Sequence, residues 1–139
     1  GYRDYVVPPL EGLWDGIAGG ILPDRTTWSW TSLIRQPDFV TPAVFHWACG
    51  EVERKKPGLA VSRARLEVYA EGPCVQVLHV GPYNTEQESL DKLAACIKEK
   101  GLADGCCPAR RHHEIYLGDP RRTAPDRLRT VLRHPVIRP

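Results

Sequence analysis

Short segments whose side chains follow the period-two alternation of a β-strand recur along this chain. Two segments whose apolar residues have helical spacing lie between them. The alternating segments are 28–35, 64–70, 74–80, 112–117 and about 128–134. Residues 2–14, which contain Val6-Val7 and Pro8-Pro9, also favour an extended strand at a sheet edge. The order strand, strand, helix, strand, strand, helix, strand, strand predicts an α+β domain of antiparallel hairpins with helices on one sheet face.

The first helix has a start signal and a stop signal. Thr41 followed by Pro42 suits an N-cap and a first helical position, and 54-RKKPG-58 ends the segment. The apolar residues expected to share one face of this helix are Val44, Trp47, Ala48 and Val52. After it, the segments 64–70 and 74–80 are expected to pair as a hairpin around the turn 71-EGP-73.

The second helix is bounded in the same way. Thr85 with Glu88 three places on predicts a capping box, and Gly101 predicts the helix end. Its apolar stripe is Leu90, Leu93, Ala94 and Ile97.

Length and composition bound the class of protein. A chain of 139 residues is expected to form one domain with a proper core, and a net charge of +2 does not indicate nucleic-acid or membrane binding. Five cysteines without disulfide-scaffold spacing indicate reduced thiols in a cytoplasmic protein. The chain contains no methionine, so Gly1 is not expected to be its native start.

The stretch 112-HHEIYLGDPRR-122 places a carboxylate in a segment that otherwise looks like a buried strand. Period-two alternation puts His112, Glu114 and Tyr116 on one face. The opposite set, His113, Ile115 and Leu117, is the one that could lie under a helix. The carboxylate and the phenol are therefore expected to face a functional site.

Several phrases together resemble the GyrI-like small-molecule-binding domain. They are 79-HVGPY-83 ahead of the second helix, 114-EIYLGDP-120 and 134-HPV-136. The longer phrases DYVVPPLEGLW, WTSLIRQPDFV and HHEIYLGDPRRTAP are similar to its standalone branch. The resemblance covers essentially the whole chain, so residues 1–139 are expected to be one such domain. The family has a further strand and helix before the segment at Tyr2, so the domain is expected to be incomplete at its N-terminus.

The resemblance implies a curved antiparallel sheet of two pseudo-symmetric strand–helix–strand–strand units. Helices are expected on one face, and a cleft for amphipathic or cationic drug-like molecules on the other. It also implies that Glu114 faces the cleft and that aromatic side chains wall it. Some standalone relatives hydrolyse strained cyclopropanes of DNA-alkylating natural products.

The candidate site follows from the alternation and the resemblance together. Glu114 is the candidate general base for an attacking water, and Tyr116 is expected to hydrogen-bond that water or the carbonyl that gathers charge as a strained ring opens. The candidate ligand-binding residues are Trp14, Glu11, Trp28, Trp30, Tyr83 and His112. The alternatives are a surface Glu114 paired with Arg110 or Arg111, and aromatic side chains that serve packing alone.

The function expected is binding of amphipathic aromatic or cationic small molecules for protection against toxins. If the domain is an enzyme, the expected reaction is hydrolysis of strained electrophiles by a metal-independent route. The alternative is a non-catalytic regulatory or ligand-sensing domain. No cofactor, nucleic-acid or membrane partner is expected, whereas exposed sheet edges favour a homodimer. No metal is expected either, because adjacent cysteines such as Cys106-Cys107 rarely ligate one ion and zinc-knuckle spacing is absent.

Overall fold

The computed structural model describes residues 4–16 and 29–139, so Trp28 lies outside the described residues. Two compact units are present: the larger comprises Gly1–Ile34 and Glu71–Pro139, and the smaller Arg35–Ala70. The helices and strands in chain order are β1 (Leu10–Trp14), β2 (Trp30–Leu33), α1 (Pro42–Lys55), β3 (Cys74–Val80), α2 (Gln87–Glu99), β4 (Ala103–Asp104), β5 (His112–Tyr116) and β6 (Arg129–Ile137).

The described strands form an antiparallel sheet in the larger unit. Five of them run in the order β2-β1-β5-β6-β3, and the short β4 also pairs with β6. This six-stranded sheet with two helices confirms the predicted α+β class. Because β1 pairs with β5, the first and last parts of the chain lie side by side at the centre of the sheet.

Helix α2 lies on the sheet face that carries Glu114, which differs from the expected separation of helices and cleft. Glu114 on β5 pairs directly with Leu132 on β6, and directly paired residues share a face. Leu132 is fully buried in a cluster with Leu90 and Leu93 of α2. The helix covers the β3–β6 end of this face, because the strands that it contacts most are β3, β6 and the short β4.

The predicted capping box of α2 is wrong, whereas its predicted end is confirmed. The Thr85 hydroxyl donates to the carbonyl of Pro82 at 2.8 Å, and the helix begins two residues later at Gln87. At the other end Gly101 has φ +61°. The N–H groups of Gly101 and Leu102 donate to the carbonyls of Lys98 and Ile97, which is the Schellman pattern.

The predicted hairpin of 64–70 with 74–80 is wrong in its first strand. Residues 64–70 form no strand, and Val68 is fully exposed. The strand β3 pairs along its whole length with β6, from Cys74 opposite Pro135 to Val80 opposite Arg129. Because β6 supplies the hydrogen-bonding partner of β3, the segment 64–70 is not required as a paired strand.

The smaller unit contains α1 and a 3₁₀ turn at Val61–Arg63. The predicted start of α1 is confirmed, since the Thr41 hydroxyl accepts the N–H of Val44 and Pro42 occupies the first turn. No residue of α1 is buried, so its apolar stripe packs into no core within this unit. Neither described helix is long and apolar enough to cross a bilayer.

Candidate functional site

Glu114 lies in the middle of the sheet, on the central strand β5. It pairs with Gly12 of β1 on one side and with Leu132 of β6 on the other. The residue is 6% exposed. Burial raises the pKa of its carboxyl group above the usual range, because the charged form loses hydration, while hydrogen bonding to Tyr116 and Trp14 opposes this shift.

A short chain of hydrogen bonds holds the carboxylate. The Tyr116 hydroxyl donates to Glu114 Oε2 at 2.7 Å, and Trp14 Nε1–H donates to the Tyr116 oxygen at 2.9 Å. Burial and the neighbouring Glu114 charge raise the pKa of Tyr116. The phenol therefore stays protonated and keeps its role as donor to the carboxylate.

Two indole rings stack beside this chain. Trp14 and Trp30 are paired across β1 and β2, and their ring centroids lie 5.3 Å apart at an interplanar angle of 13°. Gly12 makes this arrangement possible: a Cβ atom there would lie 3.0 Å from both Trp14 Nε1 and the Tyr116 hydroxyl, and 3.2 Å from the Trp30 ring. Glycine thus leaves room for the indole stack and the hydrogen bond together.

These groups line a cleft of about 1050 Å³. Tyr83 stands edge-on to Tyr116, with centroids 6.0 Å apart at 85°, and the buried Glu86 lies at the N-terminus of α2. We call this space the cleft; its walls and floor are Trp14, Trp30, Tyr83, Glu86, Glu114 and Tyr116. It lies on the face that α2 partly covers, between the start of that helix and β1–β2.

The rim of the cleft carries residues that the sequence analysis did not assign to the site. Asp119 and Arg121, in the turn after β5, pair at 2.8 Å, and this pairing lowers the pKa of Asp119 to about 2. The sequence analysis missed Glu86 because the predicted capping box used Thr85 and Glu88 and gave Glu86 no role. The signal for the rim was the 118-GDP-120 turn, which follows the Glu114 strand directly.

Comparison with known proteins agrees with this architecture. The family model of the GyrI-like small-molecule-binding domain matches residues 49–137. This chain belongs to that family. The resemblance to this family found in the sequence is thereby confirmed. The interpretation of residues 1–139 as one such domain stays a prediction.

Solved structures that are similar to this chain match it over nearly its whole length. An uncharacterized conserved protein from Listeria innocua is 45% identical with a TM-score of 0.89, over 99% of this chain and 67% of its own. A hydrolase from Listeria innocua is 43% identical with a TM-score of 0.85, over 99% of this chain and 66% of its own. The chain thus spans about two-thirds of these relatives. None of the curated proteins compared matches it.

Two predicted ligand-binding residues of the GyrI-like domain do not line the cleft. Glu11 lies on the opposite sheet face, where its Oε2 is 2.7 Å from His113 Nε2, and Glu71 Oε1 is 2.7 Å from His113 Nδ1. The reason is alternation, because Glu11 is three residues from Trp14 and an odd separation puts two side chains on opposite faces.

His112 shares a face with Glu114 but lies behind it. It is fully buried, and its Nε2 is 3.8 Å from Glu114 Oε1, too far for a hydrogen bond. Burial, together with the nearby His134, lowers the pKa of His112 to about 3, so the ring is neutral. It lines a separate cavity with Cys106 and Trp14.

The alternative partners of Glu114 in the GyrI-like domain are engaged elsewhere. Arg110 donates to the carbonyls of Glu71, Pro73 and Val136. Arg111 donates to Asp15 and to the Thr31 hydroxyl. Glu114 is therefore not a surface glutamate held by either arginine.

Among the described residues, one group has the composition and spacing of a metal site. It consists of Asp104, Cys106 and His134, whose candidate ligand atoms all lie within 4.8 Å of one another. Burial and the Asp104 charge raise the pKa of the Cys106 thiol to about 12. The sequence analysis weighed the adjacent Cys106 and Cys107 as ligands and did not consider this combination.

Proposed function

We propose that this GyrI-like domain binds amphipathic aromatic molecules that carry a positive charge, with Glu114 at the floor of the cleft. One observation carries the proposal. Glu114 is a buried carboxylate on an aromatic-walled cleft, and within the described residues no lysine or arginine lies within ion-pair distance of it. Its nearest basic group is the neutral ring of His112.

The charge of the cleft also favours a cation. Its described lining includes the carboxylates of Glu86, Glu114 and Asp119, and the guanidinium of Arg121 is paired with Asp119. A cationic ligand placed near Glu114 would offset the cost of burying the carboxylate. Contact of the cation with the Trp14 and Trp30 rings would add about 0.5–2 kcal/mol for each ring.

The size and edge of the cleft fit an amphipathic molecule. A volume of about 1050 Å³ matches the upper range of drug-sized sites. Its apolar lip includes Val7, Leu10 and Leu117, which expose 62%, 43% and 44% of their surfaces. A ligand with a charged or polar end at Glu114 and an apolar body along this lip would bury both parts.

The same residues support a hydrolytic reaction on strained electrophiles. Glu114, with a raised pKa, is a stronger base than an exposed carboxylate and can take a proton from water. The water oxygen would bond to a carbon of a strained three-membered ring. The ring bond would break, and its electron pair would pass to a conjugated carbonyl oxygen, which is then protonated. General-base assistance contributes about 10²–10⁴-fold.

Tyr116 has a defined part in this reaction. Its hydroxyl orients the Glu114 carboxylate. The hydroxyl oxygen also accepts a hydrogen bond from Trp14 Nε1–H, which makes the phenol a stronger hydrogen-bond donor. The crystal structure of a hydrolase from Listeria innocua, which is 43% identical, supports a hydrolytic activity. The biological role we propose is protection against such compounds in the cytoplasm.

The test combines binding with product analysis. A cationic aromatic dye and a neutral dye of the same shape are titrated against tryptophan fluorescence. A cyclopropane conjugated to a carbonyl is followed by mass spectrometry. Wild type is compared with Glu114→Gln, and with Glu88→Gln as a matched control on the exposed side of α2.

The outcomes separate three functions. A water-added product with wild type and Glu88→Gln, but not with Glu114→Gln, would support hydrolysis. Binding of the cation that weakens in Glu114→Gln without any product would leave a drug trap or ligand sensor. If neither dye quenched the fluorescence at micromolar concentrations, the binding proposal would be wrong.

A further inference from the structure

Three side chains with metal-ligand chemistry converge where β4 meets β6, away from the cleft. His134 Nε2 lies 3.1 Å from Asp104 Oδ1 and 3.5 Å from Cys106 Sγ. His134 is 2% exposed, Cys106 is half-buried, and the Asp104 side chain is 33% exposed. The cluster therefore extends from the interior to the surface and is open to an ion from solvent.

The separations match the edges of a tetrahedral zinc site. With Zn–N and Zn–O of about 2.0–2.1 Å and Zn–S of about 2.3 Å, a tetrahedral angle puts N and O about 3.3 Å apart and N and S about 3.5 Å apart. The observed values are 3.1 and 3.5 Å. The nitrogen and oxygen thus have nearly the spacing that the ion requires. Cys106 Sγ also lies 3.8 Å from His134 Nδ1, beside the ring and not in line with the Nε2 lone pair, so the Cys106 side chain has to turn towards Asp104 to bind an ion there.

The backbone holds two of the three ligands in place. The Cys106 N–H donates to Asp104 Oδ1 at 2.7 Å, and the Gly105 N–H donates to the Pro135 carbonyl at 3.0 Å. Gly105 lies so close to β6 that a Cβ atom would be 2.9 Å from the carbonyl carbon of Val136. The segment 104–106 is therefore pressed against the strand that carries His134.

The second ring nitrogen of His134 also has a hydrogen-bonding partner. Its Nδ1 lies 3.3 Å from Nδ1 of the buried His112. A hydrogen bond at Nδ1 fixes the orientation of the ring and directs Nε2 towards Asp104 and Cys106. This use of the two nitrogens follows from the contacts in place, and the Cys106 side chain is the part that has to move when an ion binds.

We propose that Asp104, Cys106 and His134 form a zinc site with one further position open to water or a small ligand. The Cys106 thiol loses its proton to solvent when its sulfur bonds to the ion. A thiolate and a carboxylate then balance the charge of Zn²⁺. Cys106 also lines a cavity of about 240 Å³ with Cys107 and His112, which gives the fourth position room. The site ties β4 to β6 and does not depend on the function of the cleft.

The test uses Co²⁺ as a spectroscopic substitute for Zn²⁺. The protein is stripped with a chelator, kept reduced with a non-thiol reductant, and titrated with Co²⁺. Wild type is expected to show one equivalent bound, a thiolate-to-cobalt charge-transfer band and intense visible bands of tetrahedral geometry. Addition of Zn²⁺ should remove these bands and raise the thermal unfolding midpoint.

Two variants test proposed ligands, and a third is their control. Cys106→Ser should remove the charge-transfer band, and Asp104→Asn should weaken Zn²⁺ binding by about 100-fold, since even outer partners contribute about 10–100-fold. Cys107→Ser, which changes the adjacent exposed cysteine, is the matched control and should bind as wild type does. Circular dichroism confirms that each variant is folded.

Other results would overturn the assignment. They are no cobalt spectrum in wild type, a charge-transfer band that survives in folded Cys106→Ser or disappears in Cys107→Ser, or unchanged Zn²⁺ affinity in Asp104→Asn. Because the readout is the metal itself, these results carry no information about ligand binding in the cleft.

Discussion

The hydrogen bond from Tyr116 to Glu114 sets the pH range in which the cleft attracts a cation. The Tyr116 hydroxyl donates to Glu114 Oε2 at 2.7 Å, and this bond lowers the pKa of the carboxyl group against the larger effect of burial. Tyr116→Phe keeps the ring but removes this donor, together with the oxygen that accepts the Trp14 Nε1–H. The pKa of Glu114 should therefore rise further.

The size of the shift follows from the difference between two hydrogen bonds. A bond to a charged acceptor contributes about 1.5–3 kcal/mol, and one to a neutral acceptor about 0.5–1.5 kcal/mol. The carboxylate therefore loses about 1–1.5 kcal/mol more than the carboxylic acid does, which raises the pKa by about one unit. The interaction of Trp14 with Glu114, which also lowers this pKa, remains in the variant.

The assay is the affinity for a permanently cationic aromatic dye as a function of pH. A cation prefers the carboxylate, so affinity should rise as pH increases through the pKa of Glu114. At an effective dielectric constant of about 20, a cation about 5 Å away gains about 3 kcal/mol. The affinity should therefore be about 100-fold higher when Glu114 is charged than when it is protonated.

The variants should separate into three curves. Tyr116→Phe should move the midpoint up by about one pH unit, and Glu114→Gln should give a flat curve at the low-affinity limit. Tyr83→Phe is the matched control, because Tyr83 contacts the Tyr116 ring in the same cleft. The midpoint of its curve should stay with that of wild type, because Tyr83 is not among the groups that shift the pKa of Glu114. A midpoint that is unchanged or lower in Tyr116→Phe would refute the role given to this hydrogen bond.

Four further predictions concern packing and backbone conformation. Gly12→Ala should destabilise the protein by about 1–3 kcal/mol and weaken dye binding, because its Cβ would meet Trp14 and Tyr116; unchanged urea unfolding would contradict this. Gly101→Ala, at φ +61°, should destabilise by about 1–2 kcal/mol. Gly50→Ala, in α1 with open space at Cβ, should instead stabilise by about 0.5–1 kcal/mol, and equal effects in thermal melts would argue against both. Leu132→Ala should lower the unfolding free energy in urea by about 2–5 kcal/mol, and a loss below 1 kcal/mol would argue against a close-packed core.

The sequence predicted those features that depend on neighbouring residues. The face of Glu114 follows from alternation within β5, and Trp30 likewise shares its face with Ser32. The end of α2 follows from one glycine, Gly101. The odd separation of Glu11 and Trp14 was also visible, and it would have placed Glu11 on the other face; the shared motif was given more weight than the geometry.

The predictions that were wrong concern features that depend on residues distant in the chain. Residues 64–70 have an adequate strand pattern, but β3 pairs with β6, whose paired residues lie 49 to 61 positions later in the chain. The same holds for Glu86 and for the face that α2 covers, because both depend on packing of Leu90 against Leu132. No local pattern encodes the combination of Asp104, Cys106 and His134, since three separate positions meet only through the β4–β6 pairing.

The pairing of β1 with β5 has a consequence for how the cleft is assembled in time. Trp14 and Tyr116, which are hydrogen-bonded, are 102 positions apart in the chain. Closing a connection of this length costs entropy before its contacts form, and such topologies fold slowly. The tyrosine of this pair can be in place on β5–β6 early, whereas the indole arrives only when β1 docks. A ligand that touches both strands would therefore slow the departure of β1, and the rate of unfolding would report its presence.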